Sequence, residues 1–190
     1  RQIPAGVTRY ETSINGLPVY GGANDPRLGN LNDVSCPGYF GHIDLASPVY
    51  HQGFIDVTLK LLRCVCYHCS ELVGDGGPIT TENPTEKLKL AKCRRVAKRK
   101  VRLERLHEAL RGMCGKHCDH CKGLQPKYVK SGLHIEVEFP DDMEAIPGSG
   151  DRRQILVADR TMSIFKKISE KNVKFLGLDV KWSRPEWLLV

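Results

Sequence analysis

Apolar positions along the chain fall into short periodic runs separated by long polar stretches. From Val49 to Leu62 they recur at helical spacing, placing Phe54, Val57, Leu61 and, one turn further, Val65 on one face. Ser47-Pro48 reads as the start of that helix. Val96, Leu103, Leu106, Leu110 and Met113 repeat at intervals of three, four and seven, which predicts a second helix with an apolar seam. It opens at Pro84-Thr85-Glu86 and ends at Gly112 and Gly115. The run LHIEVEF, Leu133 to Phe139, alternates as a strand. A short strand is expected at Gln154 to Val157. A helix follows from Ala158 to Ser169 with Met162, Phe165 and Ile168 inward, then a short helical piece from Asn172 to Leu176 and a terminal strand from Trp187 to Val190. Before residue 36 the chain reads as loop and turn, with Asn15-Gly16, Gly21-Gly22, Asp25-Pro26 and Asn32-Asp33 as turn formers. The fold class expected is α+β, irregular and loop-rich, with helices, short strands and a structural zinc module.

Size and composition agree with that picture. A chain of 190 residues suits one domain, or one domain with a small appended module. It is 41% hydrophobic, enough for a core, while 18 glycines and 11 prolines imply long loops. No run of eighteen apolar residues predicts a membrane span, and no charged-then-apolar N-terminal segment reads as a secretory signal. Arg at position 1, and an apolar end at WLLV, lead us to expect a piece of a longer polypeptide.

Charge narrows the class of partner. The net charge is +7, and it is concentrated. Lys87 to Arg111 holds eleven Lys and Arg against Glu104 and Glu108, a balance of +9, so the rest of the chain is slightly acidic. A basic segment favours an anionic partner, nucleic acid first and an acidic protein surface second. As a nucleic-acid contact, Arg94, Arg95, Lys98, Arg99, Lys100 and Arg102 would meet phosphates without reading sequence. The competing reading of the same residues is a solvated helix face.

Eight cysteines carry the clearest chemistry. Cys66-x2-Cys69 and Cys118-x2-Cys121 are two knuckles in which a tight turn brings two thiolates to one ion. Together they complete an all-cysteine tetrahedron with no open position, a structural zinc site and not a catalytic one. Free buried cysteines and disulfides are the other readings, and disulfides fit poorly because no feature marks secretion. Cys114 competes with Cys118, and His117 and His120 lie close enough in sequence to compete as ligands; knuckle spacing favours Cys118. Cys64 is expected in the core, and Cys93 as an ordinary helical cysteine. Forty-eight residues separate the knuckles, and the basic helix fills that gap, so residues 60–126 read as a zinc module with a basic helical insertion.

Six blocks in order carry a resemblance: NDPRLG (Asn24 to Gly29), CPGYFGHIDLASPVYHQGF, LRCVCYHC, CKGLQP (Cys121 to Pro126), ISEKNVKFLGL and SRPEWLLV (Ser183 to Val190). Together they resemble the N-terminal clamp region of the largest subunit of eukaryotic multi-subunit RNA polymerases, RNA polymerase II nearest in wording. The resemblance spans Gly16 to Val190 and is weakest from Gly74 to Met113 and from His134 to Gly150. It implies that residues 1–190 are an N-terminal clamp segment of a larger chain in the nucleus. The clamp encloses template DNA and the RNA–DNA hybrid, contacts other polymerase subunits, and receives transcription factors on its outer surface. It implies one structural zinc on Cys66, Cys69, Cys118 and Cys121, and a nucleotidyltransferase whose magnesium and catalytic aspartates lie outside this segment. The segment itself shows no P-loop, no G-x-S-x-G and no Cys/His nucleophile pair, and Asp141-Asp142 reads as solvated loop.

The family also carries a first zinc site, built from a CxxC knuckle and from the Cys and His of CPGH. Here only NLNDVS lies between Gly29 and Cys36, and Tyr39 stands where the histidine is expected. Cys36 alone is left, so this stretch is expected to be a packed loop, with His42 and His51 as hydrogen-bonding structural histidines. The alternative function is a free-standing zinc-stabilised module that binds nucleic acid or docks transcription factors, without a polymerase role. A downstream aspartate-rich catalytic motif would separate the two.

Overall fold

The computed structural model describes residues 6–29, 38–73, 92–93, 95–110, 117–139 and 153–190. The chain divides into two compact units, Arg1–Ala46 and Ser47–Val190.

In the first unit a minimal hairpin joins β1 (Ser13–Ile14) to β2 (Leu17–Pro18), with Ile14 opposite Leu17. Asn15 and Gly16 make the turn at φ 50° and 76°, the left-handed pair that matches strand twist in a two-residue hairpin. The NDPRLG block folds around Asp25. Its buried carboxylate accepts the amides of Gly21 at 2.7 Å and Arg27 at 2.9 Å, and the Arg27 guanidinium through Nε at 2.9 Å and NH2 at 2.6 Å. Arg27 in turn lies 5.1 Å from the centre of the Tyr20 ring. The Arg27 hydrogen bonds outweigh the cost of burial and hold the Asp25 carboxyl well below the usual carboxylate range. Tyr39 pairs its backbone with this block: its N–H donates to the Arg27 carbonyl at 3.0 Å, and its carbonyl accepts from Gly29 at 3.2 Å. The position expected to hold a ligand histidine is thus a ladder partner.

The second unit holds α1 (Ile55–Leu62), α2 (Arg99–Leu110), β3 (Lys127–Ser131), β4 (His134–Glu138), β5 (Arg153–Ile155), α3 (Ala158–Lys166), α4 (Glu170–Phe175) and a 3-10 turn at Pro185–Leu188. The three strands form one antiparallel sheet in the order β3-β4-β5. Tyr128 faces Val137 across β3 and β4, and both are buried, as is Ile135. Leu61, Leu62, Ile135, Ile164, Phe165 and Leu176 meet in one core with Leu106 and Leu110 of α2. The Tyr50 hydroxyl lies 2.7 Å from Thr161 Oγ1 and donates to the Leu156 carbonyl at 2.9 Å, tying the entry of α1 to α3.

The α+β reading holds, and several boundaries differ. No helix begins at Ser47-Pro48. Val49 instead exchanges two backbone hydrogen bonds with Val190, at 2.7 and 2.9 Å, and Tyr50 bridges Leu189. The expected terminal strand shrinks to these last two residues, because Pro185 opens a 3-10 turn before them. The first departure has a non-local cause, a pairing between segments some 140 positions apart that the local pattern does not contain. Helix α1 opens only at Ile55, and Phe54, expected inward, is 44% exposed. Helix α2 is shorter than its periodic pattern. Val96 lies before it, with its N–H on the Cys93 carbonyl, while Leu106 and Leu110 keep their place in the core. The expected helix start at Pro84-Thr85-Glu86, its end at Gly112 and Gly115, and the loop with Asp141-Asp142 lie outside the described residues. In α3, Phe165 is buried as expected, and Ile168 follows just past the helix end, whereas Met162 is half-buried. Strand β3 is an addition to the sequence reading. It pairs with β4 through Gly132, at φ 57°.

Candidate metal centre

Two tight turns with the same backbone plan present the cysteines. In the first, the Cys66 N–H donates to the Glu71 carbonyl at 2.8 Å, and the Ser70 N–H donates to the Cys66 carbonyl at 3.0 Å. In the second, Cys118 donates to Gly123 at 2.8 Å and Lys122 to Cys118 at 2.9 Å. Each turn is closed by an antiparallel bridge, Val65 with Leu72 and His117 with Leu124. Each also places the residue after its second cysteine in the left-handed region, Ser70 at φ 61° and Lys122 at φ 58°. That conformation costs a non-glycine residue roughly 1–2 kcal/mol, and here it reverses the chain so that both thiols of a knuckle face the same side.

The four sulfurs of Cys66, Cys69, Cys118 and Cys121 lie within 4.8 Å of one another. Cys66 Sγ is 3.6 Å from Cys121 Sγ, and Cys69 Sγ is 3.7 Å from Cys118 Sγ. A disulfide needs about 2.05 Å, so these are not bonded pairs. A tetrahedral zinc with sulfur at about 2.3 Å sets its ligands about 3.8 Å apart, and the two contacts come close to that edge. The cluster could hold a metal ion, and a four-thiol donor set fits zinc. Cys66 and Cys118 are fully buried, whereas Cys121 is exposed.

Hydrogen bonds favour ionisation of Cys66. Burial opposes its ionisation, but the N–H groups of Cys69 and His68 and the Gln125 amide outweigh that cost, so its thiol is lowered. Burial first, and then the neighbouring Cys66 sulfur, raise Cys69 and Cys118. A bound cation would let all four thiols ionise together.

Gln125 connects the knuckles. It is 4% exposed; its Nε2 donates to Cys66 Sγ at 3.2 Å and to the Gly123 carbonyl at 3.0 Å, and its Oε1 accepts from the Tyr67 N–H at 3.1 Å. Tyr67 then joins the centre to the core, edge-on to Phe139 at 5.9 Å with the Arg160 guanidinium 4.6 Å over its ring. Gly123 admits the His68 ring, which a Cβ would meet at 2.6 Å. Asn172, buried in α4, donates to the Glu71 carboxylate at 2.7 Å. Sequence reasoning misses Gln125 and Asn172 as ligand supports. Both sit in the CKGLQP and ISEKNVKFLGL blocks, but no spacing rule marks a residue that acts on a ligand from another segment.

His117 and His120 are exposed and outside the four-sulfur group, and Cys114 and Cys36 lie outside the described residues. His51 accepts the Gly53 amide at 3.0 Å and stacks on Phe54 at 4.6 Å, while the His42 carbonyl accepts from Val7 at 2.7 Å. Cys64 and Cys93 are buried in the core, and burial pushes the Cys64 thiol up to about 12.

The basic residues divide by what they touch. Arg95, Lys98 and Lys100 are exposed, and Arg94 lies outside the described residues. Arg99 pairs with Asp179 at 3.2 Å, and Arg102 donates to the carbonyls of Val96 at 2.7 Å and Lys174 at 3.1 Å. Two of the six cations therefore link α2 to α4 and to the turn after it. No described helix is long and apolar enough to cross a membrane.

Comparison with known proteins supports the same assignment. The family RNA polymerase Rpb1, domain 1, matches residues 7–190. The chain is 36% identical, over 196 aligned positions, to DNA-directed RNA polymerase II subunit RPB1 of Euplotoides octocarinatus. That alignment covers 93% of this chain and 39% of the relative, so the chain spans about two fifths of the length of the protein it matches. With paired knuckles, the six ordered blocks and a match that runs across both units, the chain belongs to the family of RNA polymerase Rpb1, domain 1.

Proposed function

We propose that the chain forms part of the clamp of a multi-subunit DNA-directed RNA polymerase in the nucleus, enclosing template DNA and the RNA–DNA hybrid. The observation that carries this reading is the family match from residue 7 to residue 190. The four-sulfur centre supports it in kind. Cys66, Cys69, Cys118 and Cys121 would hold one zinc, which cross-links two chain segments and has no open coordination position for chemistry. The segment acts as scaffold for a nucleotidyltransferase whose magnesium site lies elsewhere in the parent enzyme. Its partners are the other polymerase subunits, the nucleic acid, and transcription factors on its outer surface. Arg95, Lys98 and Lys100 are the described part of the basic segment offered to phosphates.

The test places Cys66→Ser with Cys121→Ser in the full largest subunit and assembles the polymerase. Clamp function predicts that one phosphodiester bond still forms on a preassembled scaffold, while elongation complexes dissociate faster in high salt. Elongation complexes as salt-resistant as those of the parent would overturn the clamp assignment.

A further inference from the structure

Trp182 is 82% exposed, a large departure for the residue type that gains most from burial. The backbone that carries it is closed by hydrogen bonds. Asp179 accepts the Lys181 N–H at 2.8 Å, and the Trp182 N–H bonds to it as well. The Ser183 N–H donates to the Asp179 carbonyl at 3.0 Å, and Ser183 Oγ accepts from the Asp179 N–H at 2.8 Å. The tip of this doubly closed turn carries the indole into solvent.

The start of α2 meets the segment that carries it. Arg99 at the start of α2 reaches Asp179, and a Cβ on Gly177 would lie 2.6 Å from the Arg99 carbonyl, so α2 rests directly on the turn. Arg102 binds the Lys174 carbonyl. Exposed Lys98 and Lys100 flank Arg99 in sequence, and exposed Lys174 and Lys181 lie on the segment that carries Trp182, which also holds Asp179.

We propose that Trp182 is a stacking platform for an unpaired base of single-stranded nucleic acid, with Lys98, Lys100, Lys174 and Lys181 on the phosphates. The proposal draws its cations from the reading of the basic segment as a polyanion contact. Trp182 is an independent observation, because phosphate attraction alone requires no aromatic face. Every base has a π-face, so an exposed indole on a segment that also carries basic residues favours single strands without reading sequence. A duplex keeps its bases stacked inside and satisfies only the cations. An acidic peptide likewise offers charge with no ring to stack.

The chain contains two tryptophans, so Trp187→Phe leaves Trp182 as the sole indole reporter. The zinc-loaded 190-residue chain carrying this change is titrated with oligothymidylate of twelve residues, a duplex of equal length, and polyglutamate. Saturable quenching by the oligothymidylate alone is expected. Trp182→Ala should bind labelled oligothymidylate about tenfold more weakly, Trp182→Tyr should restore part of the loss, and duplex affinity should not change. Circular dichroism confirms that the variants fold. Equal affinity of Trp182→Ala, or equal quenching by polyglutamate, overturns the platform. Duplex binding with a normal salt slope but no indole response sinks the platform alone. If neither nucleic acid binds, the phosphate reading of the basic segment falls with it, and the assembly test above still decides the clamp.

Discussion

Gln125 donates a hydrogen bond to Cys66 Sγ at 3.2 Å, joining a glutamine after the second knuckle to the first cysteine of the other. This single carboxamide also orders the Tyr67 amide and the Gly123 carbonyl. Replacing it by leucine keeps much of the volume and removes all three bonds. Groups that orient a ligand in this way typically change metal affinity by about 10- to 100-fold. Gln125→Leu should retain one zinc per chain at saturating metal, yet release it to a competing chelator about tenfold more readily. Chelator competition monitored by zinc-sensitive absorbance measures this directly.

Metal content follows from the sulfur geometry. One zinc per chain is expected by native mass spectrometry under reducing conditions, lost in Cys66→Ser and in Cys118→Ser. Two zinc ions would mean that Cys36 and its neighbours have built a second site. Retention of full zinc by Cys118→Ser would move that ligand to Cys114.

Gly177 sits at φ 85°, with the Arg99 carbonyl 2.6 Å from the position of a Cβ. Gly177→Ala is therefore strained both by conformation and by collision. A cost of more than about 1 kcal/mol is expected, read as a lower Tm. Hydrogen exchange should rise first at the start of α2, since that is the segment displaced.

Core truncation tests the packing between the sheet and α1. Ile135 and Leu62 are both fully buried in the same cluster. Either change to alanine should cost about 2–5 kcal/mol, measured by urea unfolding of the zinc-loaded chain.

Acid should loosen the first unit through Asp25. Its folded pKa is depressed, so its contribution is present above the ordinary carboxylate value of about 3.9 and is lost as pH falls toward the folded pKa. Amide exchange at Gly21 and Arg27, which donate to Asp25, should accelerate relative to the rest of the chain below about pH 4. Asp25→Asn should already show faster exchange at neutral pH and lose the acid dependence.

The elements legible in the sequence are those whose signal is local. Two cysteines at knuckle spacing meet because a short turn leaves them little other direction, so spacing favours the four thiols that the structure brings together, while Cys114 still competes with Cys118 in the sequence. Phe165, Ile168, Leu106 and Leu110 are readable as core because helical periodicity places apolar side chains on one face wherever the helix docks. Strand β3 is also within reach, since Tyr128 and Val129 precede a short glycine-containing turn and an alternating run, the pattern of a hairpin.

What tertiary structure decided depends on partners distant in sequence. Val49 pairs with Val190, so a stretch with helical periodicity is extended, and the end of the chain is a bridge and not a strand. Arg99 and Arg102 look identical to Lys98 and Lys100 in a charge count, yet the turn at Gly177 engages the first two and leaves the others in solvent. Trp182 reads in sequence as one more apolar residue near the end of the chain. The closed Asp179–Ser183 turn, which α2 meets through Arg99 and Asp179, carries it into solvent. Local spacing acts through covalent geometry and is carried by the sequence itself. The choice among equivalent side chains is made by whichever distant backbone group arrives beside them.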